Sequence, residues 1–195
     1  MEPVFDLSSN KRVAVLPLMA DAIAVSGDVL MVSRLGQAIR FSEKDVRAMG
    51  RDASGVQGMR LRGDDEVISV AIAADDSDLL VVTENGYGKR TRVSEYPKKG
   101  RGGMGVKTVQ LTAARGHLAG ARVVRDGYQV MLISTGGTVI KMPVEDVKRL
   151  GRSTQGVIVM RLREGELVSS LAPVVESGDE ADEADDAPVV APSDD

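Results

Sequence analysis

The sequence predicts an all-β chain of propeller-like blades, each of four short antiparallel strands and too few to close a ring. Three observations carry that expectation. A unit of about fifty residues occurs three times, its segments are rich in Val, Ile, Leu and Met, and Gly-centred turn signals separate them. The repeats align on Gly36, Gly86 and Gly137, then on Arg40, Arg90 and Lys141. They align again on Gly50-Arg51, Gly100-Arg101 and Gly151-Arg152, and on Gly55-Val56, Gly105-Val106 and Gly156-Val157. Stacked units of this length and strand content describe blades.

In the first repeat, strands are expected at 29–32 and 37–41 around a turn at Leu35-Gly36, then at 56–62 and 66–73 around "GDD". In the second, 79–83 and 88–93 flank "ENG"; Asn-Gly is a strong hairpin signal because both residues tolerate positive φ. The third offers 157–163 and 167–172 around "EG". Repeat boundaries fall at 28–77, 78–126 and 127–174. Residues 1–27 fit the unit poorly and read as the remnant of a preceding blade. Three blades imply an open arc, whose bare strand edges are an aggregation liability.

Charge is divided sharply. Residues 28–174 carry 23 Lys and Arg against 17 Asp and Glu, whereas residues 175–195 carry nine acidic residues and no basic one. That tail, "ESGDEADEADDAPVVAPSDD", lacks the apolar material to offset its ordering entropy and is expected to be disordered, either as a solubilising end or as a polyanion competing with DNA for the basic body. Zero cysteines exclude disulfides and thiolate metal sites and fit a reducing, cytoplasmic setting; a single histidine, His117, disfavours a His-based metal site. No apolar run approaches the roughly 20 residues that span a bilayer, so no membrane partner is expected.

The stretch "YPKKGRGGMGV" at 96–106 concentrates glycine and positive charge. Gly100, Gly102 and Gly105 match G-x-G-x-x-G, but a strand-like "VKTVQL" follows where a dinucleotide site needs a helix. A triphosphate loop needs lysine where Val106 stands. The remaining reading uses everything present: a basic turn whose glycines bring backbone N–H groups close to phosphates, with Arg101 as a bidentate grip. Lys89, Arg90, Arg92, Lys98, Lys99 and Lys107 surround it against one acid, Glu95. Aromatic residues, at 3%, are too few for single-strand stacking platforms, so the expected ligand is duplex backbone. Cations recurring at Arg40, Arg90 and Lys141, and at Arg51, Arg101 and Arg152, are expected to form a stripe along one rim.

These residues, together with "LLVVTENGYGKRTRVSEYP" and "LMVSRLGQAIRFS…MGRDASGVQGMRLRGDD", resemble the C-terminal domain of the DNA gyrase A subunit, most closely its actinobacterial form, over about residues 28–174. The resemblance implies a β-pinwheel of usually five or six blades that wraps DNA on a basic rim. It identifies this chain with the last three blades, partnered by the B subunit together with the rest of the A subunit. The family's hallmark box reads Q-R-R-G-G-K-G; Arg101, Gly102, Gly103 and Gly105 match it, while Lys99, Gly100 and Met104 depart from it. ATP and Mg are implied for the holoenzyme alone; no cofactor, metal or catalytic residue is expected in this chain. Tyr87, Tyr96 and Tyr128 lack the Arg-Tyr pair of the DNA-breakage motif. The alternatives are the matching domain of the topoisomerase IV A subunit, which typically lacks the box, and a propeller-type protein-interaction module.

Overall fold

The computed structural model describes residues 27–46 and 55–174. Arg51, the acidic tail and all of the expected remnant except Gly27 lie outside the described residues.

In the first repeat β1 (Asp28–Ser33) lies between β2 (Gln37–Ser42) and β3 (Val67–Ala73). The second contains β4 (Asp78–Thr83), β5 (Tyr87–Arg92), β6 (Val106–Lys107) and β7 (Leu118–Val124). The third contains β8 (Gln129–Ser134), β9 (Val139–Pro143), β10 (Val157–Ile158) and β11 (Val168–Val174). The turns between β1 and β2, β4 and β5, and β8 and β9 place Gly36, Gly86 and Gly137 at φ near +80°, the left-handed region that glycine enters at least cost. Three-residue 3-10 turns follow β2, β5 and β9, at Glu43–Asp45, Val93–Glu95 and Val144–Asp146.

The sheets run β3-β1-β2-β6, β10-β5-β4-β7 and β11-β8-β9. All pairings within them are antiparallel. The fourth strand of a blade therefore comes from the next repeat: β6 crosses to β2, and β10 crosses to β5. This differs from a blade assembled wholly within one repeat. The chain arches back at Gly105 and Gly156, with φ +73° and +78°; a Cβ at the first would collide with the Ala38 carbonyl oxygen, and one at the second would lie 2.8 Å from that of Gly88. The lent strands are only two residues long because the chain then turns inward. Val109 joins the core between the first two sheets, and Met160 joins the core between the second and third. The corresponding segment of the first repeat, expected as a strand at 56–62, forms no strand among the described residues.

β4 is buried at all six positions because it stands between two neighbours. Leu79 and Val81 face Leu30 and Val32 of the first sheet, while Leu80 and Val82 face Val130 and Leu132 of the third. A continuous apolar run, rather than alternation, is the expected signature of a strand covered on both faces.

Charge crosses each joint as well. Arg40 Nε donates to Asp28 at 2.7 Å and Nη2 to Asp75 at 2.6 Å, while Nη1 reaches the Val93 carbonyl of the next repeat at 3.0 Å. Lys98, also from the next repeat, closes on the other Asp28 oxygen at 2.8 Å. One joint later Arg90 pairs with Asp78 at 3.1 Å and Asp126 at 2.8 Å, its Nε donates to the Val147 carbonyl at 2.8 Å, and Arg149 meets Asp78 at 2.8 Å. Arg40 and Arg90 are only 7% and 5% exposed. At the corresponding positions the third repeat has Gln129 and Lys141.

Burial alone would raise the Asp28 carboxyl, but hydrogen bonds from Lys98 and Arg40 and their charges outweigh it and hold the group below its ordinary value of 3.8. A depressed carboxylate contributes stability above its unfolded value and loses it as pH falls through the folded one. Asp28→Asn strands part of a buried cation cluster and should cost about 3 kcal/mol at pH 7. Thermal unfolding followed by circular dichroism should show that gap close as pH falls below 3.8; a gap that persists in acid would refute the ion-pair account.

Candidate nucleic-acid interface

The loop at 96–106 is anchored at its start by Tyr96, whose ring is buried and whose hydroxyl is hydrogen-bonded to that of Thr108. Burial pushes this phenol up to about 12, as suits a packing residue. From there the loop lies along the outer edge of the first blade. The Lys99 N–H donates to the Arg40 carbonyl at 2.9 Å, the Gly102 N–H to the Gly58 carbonyl at 2.7 Å, and the Gly103 carbonyl accepts from the Arg60 N–H at 2.8 Å. Ile39 fills the space beneath, its Cδ1 3.5 Å from the place a Gly103 Cβ would occupy. Of these glycines Gly105 alone is pressed against the protein's own backbone; Gly102 answers a φ of +79°, and a Cβ at Gly100 or Gly103 would meet open space or ordinary contact. Gly102, expected to offer its amide to a phosphate, uses it on Gly58.

The side chains outside this lacing are Lys98, Lys99, Arg101 and Lys107, all exposed. Arg101 is steadied by Nε to the Asp45 carbonyl at 3.0 Å and Nη1 to the Gln57 carbonyl at 3.3 Å, which leaves Nη2 to reach outward. Lys98 stays 57% exposed while paired to Asp28. Beside them stand two cations that sequence reasoning missed, Arg60 and Arg62. Met59 and Leu61 turn inward, so the alternating arginines face solvent, and Arg62 Nε lies 3.2 Å from Met104 Sδ. The third repeat copies the pattern, with Met160 and Leu162 inward and Arg161 and Arg163 exposed. The tetrad "MRLR", read with period two, carried that signal.

Along the second blade, Lys148 and Arg149 are exposed, and Arg152 is half-buried with its guanidinium 6.0 Å from the Tyr96 ring centre. Arg92 is exposed at the end of β5, and Lys141 on β9. Three expected contact residues are not on the rim. Arg40 and Arg90 are held inside the blade joints, where their donors meet carboxylates and carbonyls of the protein. Lys89, 0% exposed, donates to the Gly151 and Arg152 carbonyls. No phosphate can reach them without opening the joint. Lys141 is the member of its triad left outside, because among the described residues no further repeat covers β9.

Among the described residues no group of three or more His, Cys, Asp or Glu could hold a metal ion, and no helix is long and apolar enough to cross a membrane.

The family model described as DNA gyrase C-terminal domain, beta-propeller, matches residues 27–74, 77–125 and 128–174. The chain is 43% identical over 160 residues to the DNA gyrase A subunit of Salmonella typhimurium, covering 82% of this chain and 18% of the relative. It is 47% identical over 151 residues to the DNA gyrase A subunit of Mycobacterium leprae, covering 76% of this chain and 12% of the relative. It spans less than a fifth of either. Among solved structures, the C-terminal domain of DNA topoisomerase IV superposes with a TM-score of 0.72 at 26% identity, over 77% of this chain and 47% of that one. The DNA gyrase A C-terminal domain gives a TM-score of 0.72 at 27% identity, over 78% of this chain and 52% of that one.

Gly105→Ala tests the arch. Its Cβ would collide with the Ala38 carbonyl oxygen in a backbone conformation that L-residues avoid. A loss of about 2 kcal/mol or more is expected, with faster amide exchange at Val106 and Lys107. Wild-type stability in this variant would show that the lent strand does not need the arch.

Proposed function

Since the chain belongs to the DNA gyrase C-terminal domain, beta-propeller family, we propose that it binds and bends duplex DNA on its outer edge as the DNA-wrapping module of a gyrase A subunit. The observation that carries this is the exposed row Lys98, Lys99, Arg101 and Lys107 on the first blade's outer edge, continued by exposed Lys148 and Arg149 and half-buried Arg152 on the second and by exposed Lys141 on the third. Arginine and lysine spaced over successive blades match a phosphate backbone, which recurs without regard to sequence. Arg60 and Arg62 widen the row beside the glycine loop.

The module's task is mechanical. Bending a short duplex site costs roughly 1–6 kcal/mol, which phosphate contacts along a curved edge can offset. In a holoenzyme that joins the B subunit to the rest of the A subunit, the wrap would fix the sign of the DNA crossing that ATP-dependent strand passage inverts. Bond breakage and ATP hydrolysis would belong to those other parts, and the setting is the cytoplasm. Topoisomerase IV is the second reading, since its C-terminal domain superposes equally well. The curated relatives described above are gyrase subunits, and the glycine loop is of the kind the gyrase resemblance implies.

Fluorescence anisotropy on a short duplex decides the matter. About five phosphate contacts predict a slope of log K on log salt near −4.5. Arg101→Ala should weaken binding to unrelated sequences alike and make the slope shallower by about 0.9. A duplex minicircle should bind more tightly than the same sequence in linear form. Affinity insensitive to salt, or a loss confined to one sequence, would remove the wrapping reading.

A further inference from the structure

Lys89 lies in the middle of β5 with no exposed surface. Its ammonium meets three oxygens, the Gly151 carbonyl at 2.6 Å, the Arg152 carbonyl at 2.5 Å and Thr154 Oγ1 at 3.1 Å. An ammonium has three N–H donors, so each proton has an acceptor, and all three acceptors lie on the third repeat's loop at 151–156. Thr154 Oγ1 also donates to the Gly151 carbonyl at 2.8 Å, which closes the loop around the cation. This loop corresponds to the glycine loop of the second repeat, and the residue under that one is Ile39. The same scaffold is therefore packed once by a methyl group and once by a buried charge.

Packing alone does not call for the charge. Burial draws the Lys89 amine down to about 8; Glu95 acts against that and Arg152 reinforces it. Among the described residues no carboxylate hydrogen-bonds the amine. Tyr96, whose ring centre lies 6.0 Å from the Arg152 guanidinium, has its hydroxyl bonded to Thr108. What the ammonium does that isoleucine cannot is pin two consecutive carbonyls, those of Gly151 and Arg152. Fixing both carbonyls fixes the two peptide planes that flank the Arg152 Cα, and hence the direction in which the Arg152 side chain leaves the backbone.

We propose that Lys89 is a positioning residue that orders the 151–156 loop from beneath and aims the Arg152 guanidinium at a duplex phosphate. The aim toward phosphate rests on the wrapping reading above; the ordering of the loop does not.

The test uses the full 195-residue chain, Lys89→Met, and the milder Thr154→Val, which leaves the lysine in place and opens its cage. Without DNA, amide exchange at Gly151, Arg152 and Thr154 should quicken at least tenfold in Lys89→Met, with the melting temperature unchanged or raised. With a short duplex, Lys89→Met should bind three- to tenfold more weakly than wild type. In an Arg152→Ala background the same substitution should cost less than twofold, because the residue it aims is gone. Thr154→Val should show the exchange effect at smaller amplitude. Unchanged exchange in both variants would overturn the clasp. Equal losses in the two backgrounds, or affinity and melting temperature falling together, would reduce Lys89 to a structural lysine. If the wild-type chain binds no duplex, the wrapping reading and the aim at phosphate fail together, and the exchange measurement still decides the clasp.

Discussion

The architecture depends on one buried arrangement made twice: a carboxylate shared between an arginine of its own blade and a cation of the following repeat. Asp28 serves Arg40 and Lys98, and Asp78 serves Arg90 and Arg149. Each arginine also donates to carbonyls beside the following repeat's 3-10 turn, Val93 and Tyr96 in one joint and Val147 in the other. Removing such groups from water costs several kcal/mol per ion, and that cost is offset only when nearly every donor and acceptor is met. A joint shifted by one residue would leave charges buried and unmatched. The arrangement therefore sets register more than it adds stability, while the apolar seam of Leu30, Val32, Leu79 and Val81 supplies the driving force.

This separates two populations of cations that occupy the same repeat. Those at Arg40 and Arg90, with Lys89 beside them, are consumed by the fold. Lys98, Lys99, Arg101, Lys148 and Arg149, on the loops after the second and third 3-10 turns, keep exposed surface, Lys98 and Arg149 while also pairing with Asp28 and Asp78. The excess positive charge of residues 28–174 thus overstates what the outer edge can offer a polyanion. Arg40 and Arg90, each within hydrogen-bonding distance of carboxylates, contribute little to a surface potential.

Much of the fold was legible because the repeat carries it: glycines at fixed spacing give the turns, and Val, Ile, Leu and Met give the strands. The lent strand was not, since β6 and β10 hold two residues each and nothing local says which repeat they pair with. The buried cations were misread for a related reason. On strands covered on both faces, Ile39, Arg40 and Phe41 are all buried, so alternation cannot distinguish an inward cation from an outward one. A signal did exist in the repeats themselves. Aspartate precedes arginine by twelve positions in the first two, as Asp28 with Arg40 and Asp78 with Arg90, and both partners change together to Gln129 and Lys141 in the third. Residues that change as a pair touch, and that pairing marks a joint rather than a ligand site.

The strand exchange has a mechanical consequence for the wrapping reading. The outer edge of the first blade is dressed mainly by the second repeat, through Lys98, Lys99, Arg101 and Lys107 with Arg60 and Arg62 of the first repeat beside them, and that of the second blade by the third, through Lys148, Arg149 and Arg152. A duplex held against one blade would therefore pull on the backbone of the next, and the load would pass through the lent strand and the buried carboxylate beneath it. Stiff joints are then a condition for bending DNA, since a compliant array would straighten instead. The third blade carries no such dressing among the described residues. Its edge strand β9 has Lys141 outward and ends in Pro143, a charge and a missing N–H donor that discourage pairing with a stray strand. Val139, 53% exposed at the position where Ala38 is fully buried, records the same difference. One repeat pattern thus yields ion-paired joints crossed by a lent strand where a following repeat covers the blade, and a guarded edge at β9.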